Sequence, residues 1–140
     1  MHKKENPGLF GIRPVLCVEN VSRAIEYYVN KLEFNLGWAW DVNQQRFLEI
    51  GEKGNIGFAL VGCNETIQLM LSEQSQGQPG MWIHLDVDSA ANLNKLYEKW
   101  MRNGAKITEP PSVRPWGTYE MRVEDLDGHT FRVSSPPEKG

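Results

Sequence analysis

Two stretches of the chain carry the same order of apolar and polar positions. The first runs Arg13-Pro14-Val15-Leu16-Cys17-Val18-Glu19-Asn20, and the second Trp82-Ile83-His84-Leu85-Asp86-Val87-Asp88-Ser89. A single offset of 69 residues superimposes them, pairing Leu16 with Leu85, Val18 with Val87 and Tyr28 with Tyr97. In each stretch an alternating, strand-like segment gives way to a helical spacing. After the first, Val21, Ala24, Ile25, Tyr28, Val29 and Leu32 fall on one stripe of a helix, with Asn20 or Ser22 as its cap. After the second, Leu93, Leu96, Tyr97, Trp100 and Met101 do the same. Asp88 is placed to cap that helix and Gly104 to end it.

Between the two cassettes the pattern is β-like. Strands are predicted over 36–42, 46–50, 56–61 and 66–71, punctuated by Gly51, Gly54, Gly62 and Asn64. After the second helix, strands are predicted near 119–124 and 129–135, joined by the turn Asp125-Leu126-Asp127-Gly128, with Pro136-Pro137 as the stop. Pro14 marks the first strand, 12–18, as an edge or a bulge. The predicted organisation is a lead-in over 1–10, a βαβββ module over 11–72, a linker over 73–80 and a second βαβββ module over 81–136. The class is α+β. Each helix covers one sheet face, and the other face curves around something or pairs with a partner.

Composition narrows the function. Of 140 residues, 40% are hydrophobic and 24% charged, and the formal net charge is −3, as in an ordinary soluble domain. No basic run exceeds Lys3-Lys4, so nucleic acid is not an expected partner. No apolar run approaches the roughly 18 residues that span a bilayer, and the first residues lack the apolar core of a signal peptide. Cys17 and Cys63 match no zinc or redox spacing, which fits reduced thiols in a cytoplasmic protein. Nucleophile-elbow and glycine-rich phosphate motifs are absent.

Several motifs together resemble a known family. Val18-Glu19-Asn20-Val21, Ala24-Ile25 with Tyr27-Tyr28, Leu32-Glu33-Phe34, Trp116-Gly117 and Asp125-Leu126-Asp127-Gly128-His129 are similar in order and spacing to the vicinal oxygen chelate superfamily. That superfamily includes glyoxalase I, extradiol dioxygenases, and fosfomycin and bleomycin resistance proteins. The resemblance covers about residues 12–135 and implies paired βαβββ modules forming cupped mixed sheets around a pocket. Two positions depart from the pattern: Glu33 stands for a glycine, and Leu126 for a proline.

Catalytic relatives hold a divalent metal with side chains from the first and last strands of each module. The matching positions are Arg13, Gln68, Trp82 and Arg132, with Thr66-Ile67-Gln68 paired to Thr130-Phe131-Arg132. Arginine has no lone pair to offer and repels a cation. The resemblance therefore implies no metal site and no cofactor, closest in type to the metal-free bleomycin resistance proteins.

Candidate ligand contacts are Arg13, Trp38, Trp40, Gln68, Trp82, His84, Trp116 and Arg132. Two readings stand for Arg13 and Arg132. They face one cavity and bind a carboxylate or phosphate, or each is an exposed strand residue or paired with a nearby acid. Trp38 and Trp40 share a strand face, and with Trp82 and Trp116 they either wall a stacking site or fill the core. Trp100, on the helix stripe, is assigned to the core. His84 shares a face with Trp82 and Asp86, and is either an acid–base partner of Glu120 or a hydrogen-bonded wall residue. His129 is placed in a turn and His2 in the lead-in.

The leading expectation is a metal-free protein that sequesters an aromatic or anionic compound, with antibiotic resistance as one form of that role. The alternatives are a metal-dependent lyase, isomerase or dioxygenase, and a metal-independent enzyme using His84 and Glu120. A small-molecule ligand and a homodimer are the expected partners.

Overall fold

The computed structural model of the chain describes residues 7–74 and 76–137. His2 and the first six positions of the expected lead-in lie outside the described residues.

The chain begins with β1 (Val15–Val18), α1 (Val21–Asn30), β2 (Asn35–Asp41), β3 (Arg46–Phe47), β4 (Ile56–Gly62) and β5 (Gln68–Glu73). It continues with β6 (Trp82–Asp86), α2 (Ala90–Asn103), β7 (Lys106–Val113), β8 (Tyr119–Glu124) and β9 (Thr130–Ser135). The first five strands form a sheet in the order β1-β5-β4-β2-β3 under α1, and the last four a sheet in the order β6-β9-β8-β7 under α2. β1 runs parallel to β5 and β6 parallel to β9, while the other pairs are antiparallel. The fold is α+β with two mixed sheets. As Pro14 indicated, β1 is an edge strand.

Local chemistry sets the helix ends. Asn20 Oδ1 accepts from the Arg23 amide at 3.0 Å and caps α1. In α2 the cap is Ser89 rather than Asp88. Ser89 has the extended backbone that precedes a first helical turn, and its hydroxyl accepts from the Asn92 amide at 3.1 Å. Asp88 takes the Asn92 side chain instead, at 2.7 Å. Gly104 ends α2 at φ +82°, the left-handed region in which a Cβ is costly. Glu33 occupies the same region at φ +57° where α1 passes into β2, tethered by Asn103 Nδ2 at 2.9 Å and Lys99 at 3.3 Å.

β7 has no counterpart in the predicted strands. It carries Pro110 and Pro111, and lies at the sheet edge, where a missing ladder donor is tolerated. Predicted strand 46–50 shrinks to the two residues of β3.

One core joins both sheets. Leu16, Val18, Ala59, Val61, Leu69 and Leu71 are buried in the first half, and Met121, Val123, Phe131 and Val133 in the second. Tyr28 and Trp100 belong to the same cluster, Trp100 as the helix stripe predicts. Polar ties cross the seam between the halves. Tyr27 Oη donates to Glu124 O at 2.5 Å, Tyr28 Oη to Asp125 Oδ2 at 2.6 Å, and Trp100 Nε1 to Leu32 O at 3.0 Å.

His129 is not a turn side chain. It is fully buried, its Nδ1 accepting from the Met81 amide at 3.0 Å and its Nε2 donating to Cys17 O at 2.7 Å. Those two bonds fix the neutral tautomer with the proton on Nε2.

Candidate functional site

Each sheet leaves one face uncovered by its helix. Strand alternation decides which side chains stand there.

On the first sheet, Ala39, Ala59 and Val61 point into the core, so Trp38, Trp40 and Phe58 point the other way. Trp38 stacks on Phe58 with ring centroids 5.6 Å apart, and Phe47 meets Trp38 and Trp40 edge-on at 5.4 and 4.9 Å. Phe47 is 56% exposed, so the aromatic surface is open. At the far side of this sheet, Arg13 Nε donates to Gln68 Oε1 at 2.6 Å, beside a groove that runs to Leu9 and Phe10.

On the second sheet, Met121, Val123, Phe131 and Val133 enter the core, and Glu120, Arg122 and Arg132 take the other face. Ladder register arranges this face in rows. Trp82, Thr130 and Glu124 form one row. His84, Arg132, Arg122 and Glu109 form the next, and Asp86, Ser134, Glu120 and Ser112 the third. The middle row sets two arginines directly opposite each other, an arrangement that destabilises a sheet unless each cation finds an acid.

Each does. Arg132 Nη2 donates to Glu120 Oε1 at 3.0 Å, and Arg122 Nη1 to Glu109 Oε1 at 3.3 Å. Arg114, from the loop after β7, lies between the two acids, 2.6 Å from Glu109 and 3.6 Å from Glu120. The result is a chain of alternating charge: Arg122, Glu109, Arg114, Glu120, Arg132. Glu120 is 1% exposed. Burial alone would push its carboxyl up, but Arg132, with help from Thr118 and Trp116, brings it below its ordinary value and holds it ionised. Arg122 also lies over the Trp82 indole, 5.2 Å from the ring centroid.

A groove of about 580 Å³ opens over this face, lined by His84, Asp86, Trp116, Thr118, Glu120, Arg132 and Ser134. His84 Nε2 sits 3.0 Å from Asp86 Oδ1 at its rim.

Within one chain, the expected candidates thus separate into two groups. His84, Trp116, Glu120 and Arg132 come together on the second sheet, with Trp82 in the neighbouring row. Arg13, Gln68, Trp38 and Trp40 stand on the first. Arg13, in the segment before β1, and Arg132, on β9, line separate grooves of the chain.

The internal pairing also shifts. Val15 is opposite Met70, and His84 opposite Arg132, so the first-module counterpart of Arg132 is Met70 rather than Gln68. Arg13, Met70, Trp82 and Arg132 form no set of metal donors. Among the described residues no three His, Cys, Asp or Glu side chains gather as one either.

Arg114, Arg122 and Glu109 escaped the sequence reading. The signal for Arg122 was present in the alternation of Tyr119, Met121 and Val123 with Glu120, Arg122 and Glu124. Glu109 and Arg114 lie in or beside the edge strand that its prolines disguise.

Comparison with solved structures places the whole architecture. TioX from Micromonospora sp. ML1 is similar with a TM-score of 0.67 and 19% identity, over 89% of this chain and 98% of that one. A glyoxalase-related enzyme from Clostridium phytofermentans gives 0.71 and 14% identity, over 94% and 99%. A glyoxalase/bleomycin resistance protein/dioxygenase from Nocardioides gives 0.66 and 16%, over 99% and 89%. At these identities the likeness concerns the fold alone. No curated protein matches the sequence. The family profile described as Glyoxalase/Bleomycin resistance protein/Dioxygenase superfamily matches residues 12–133, and with the two sheets and helices now described, the chain belongs to that superfamily.

Proposed function

We propose that this chain is a small-molecule binding protein working without a metal, and that it sequesters an aromatic or anionic compound. The observation that carries the reading is the state of Arg132. A residue at a position used for metal ligation in catalytic relatives is here a guanidinium, paired to a buried carboxylate and opposite a second arginine. Such a face attracts anions and repels divalent cations. The indoles of Trp82 and Trp116, 56% and 57% exposed beside it, add flat apolar surface.

The open faces also support a homodimer. The first sheet presents Trp38, Trp40 and Phe47, the second presents arginines, and guanidinium groups stack well on aromatic rings. A ligand would then lie between the faces of two copies. Acid–base catalysis by His84 and Glu120 is the weaker reading, because a carboxylate held ionised between two arginines is a poor proton acceptor.

Two measurements test the proposal. Elemental analysis of the dialysed protein is expected to give no stoichiometric Ni, Zn, Fe or Mn; a retained equivalent of any of them overturns the metal-free reading. Aromatic and anionic compounds are expected to quench tryptophan fluorescence, with the change reduced in Trp82→Ala and Trp116→Ala. Quenching that neither substitution alters refutes the assignment of the site to this face.

A further inference from the structure

The alternating chain on the second sheet has two ends, and both are positive. Glu109 bridges Arg122 and Arg114, and Glu120 bridges Arg114 and Arg132. Arg122 and Arg132, the ends, are cross-strand partners on β8 and β9. Directly opposed residues of an antiparallel pair stand about 5 Å apart. The five groups therefore nearly close a ring in which every junction but one sets a cation against an anion. At that junction two arginines leave the sheet on the same face from opposed positions, and among the described residues no carboxylate pairs with both. The Nε–H groups of both arginines are shielded from water and lack an acceptor.

Arg122 has a second contact that limits what can fill the gap. It covers one face of the Trp82 indole, while more than half of that side chain remains exposed. A cation on one face of a π-system withdraws from it the negative potential that would attract a cation to the other. With Arg122 over it, the indole has little attraction left for a second cation. A flat acid whose carboxylate reaches Arg122 meets the exposed edge of Trp82 rather than its far face.

Resting on the small-molecule binding function set out above, we propose that the ligand class is the planar aromatic anion. Its carboxylate or equivalent oxyanion lies between Arg122 and Arg132, its ring packs along the exposed edge of Trp82, and Arg122 is the residue that selects against cations. An incoming carboxylate supplies the missing negative member of the ring and receives charge-assisted bonds from two forks. A cationic analogue of the same shape meets two guanidinium groups with no carboxylate placed between them.

The test uses three probes of one shape on the full chain: 2-naphthoate, neutral 2-naphthylmethanol and 2-naphthylmethylammonium, titrated by calorimetry. The acid is expected to bind at least about 10-fold tighter than the ammonium probe. In Arg122→Gln the acid is expected to lose about 10-fold, and the alcohol to stay within about 2-fold, since only the charge-dependent contact is removed. Arg122→Lys is expected to retain part of the preference for the acid. Equal or tighter binding of the ammonium probe by the unmodified chain overturns the inference, as does an undiminished preference in Arg122→Gln. Failure of all three probes to bind overturns it as well, and that outcome alone counts against the binding function too.

Discussion

Replacing Tyr28 by Phe isolates a single bond at the seam. The ring is fully buried and packs edge-on against Phe131, with centroids 6.0 Å apart, so a phenylalanine keeps every apolar contact and opens no cavity. What disappears is the hydroxyl, which donates to Asp125 Oδ2 at 2.6 Å. Burial, reinforced by the Asp125 charge, pushes the phenol well above its ordinary range, so it remains a donor at any working pH. Asp125 is itself 3% exposed, and its other oxygen already serves the amides of Asp127 and His129, each at 2.9 Å. Oδ2 would thus be left short of a donor. Loss of a hydrogen bond to a charged acceptor costs about 1.5–3 kcal/mol. For a chain of this length, about 2 kcal/mol corresponds to a fall in Tm of roughly 6 °C. Urea denaturation of Tyr28→Phe, Asp125→Asn and the double variant measures both the cost and the coupling. A loss below about 0.5 kcal/mol in Tyr28→Phe would refute the reasoning, because it would mean that Asp125 finds an equivalent donor elsewhere.

Two further outcomes follow from the geometry. The folded Glu120 carboxyl lies below its ordinary value, so its contribution is present above the unfolded value of about 4.3 and is lost as pH falls through the lower folded one. Urea midpoints should therefore drop more steeply below pH 4.3 in the unmodified chain than in Glu120→Gln; parallel profiles would contradict this. Gly104→Ala forces a Cβ into φ +82° and should cost about 1–2 kcal/mol by the same assay, whereas an unchanged midpoint would show that the end of α2 relaxes freely.

Both helices were legible because a 3.6-residue stripe survives whatever else the chain does. Val21, Ala24 and Tyr28 on α1, and Leu93 and Trp100 on α2, are buried as their spacing requires. Strand β7 was not legible. Pro110 and Pro111 argue against a strand, and only the unpaired edge of a finished sheet makes them harmless. Much of the candidate site escaped for a related reason. A charged residue on a strand reads as solvent-facing, and nothing local says that Arg122 will stand opposite Arg132 or that Arg114 will reach both acids. These facts belong to ladder register, which is set by pairings among strands distant in sequence. Register also exchanged Gln68 for Met70 as the counterpart of Arg132. The short likeness of Thr66-Ile67-Gln68 to Thr130-Phe131-Arg132 is out of step by two residues with the ladders that form.

The seam has a property that concerns how the sequence can change. Tyr27, Trp100, His129 and Asn103 each reach across it to a main-chain carbonyl, those of Glu124, Leu32, Cys17 and Lys31. A carbonyl is present whatever side chain its residue bears. Four side chains therefore hold the halves together through bonds that do not depend on the side chain of the partner residue, and none of the four lies on an open sheet face. Variation that retunes Arg122, Arg132 or Trp82 for another compound, whether by natural divergence or in a mutagenesis library, can proceed without unfastening the scaffold.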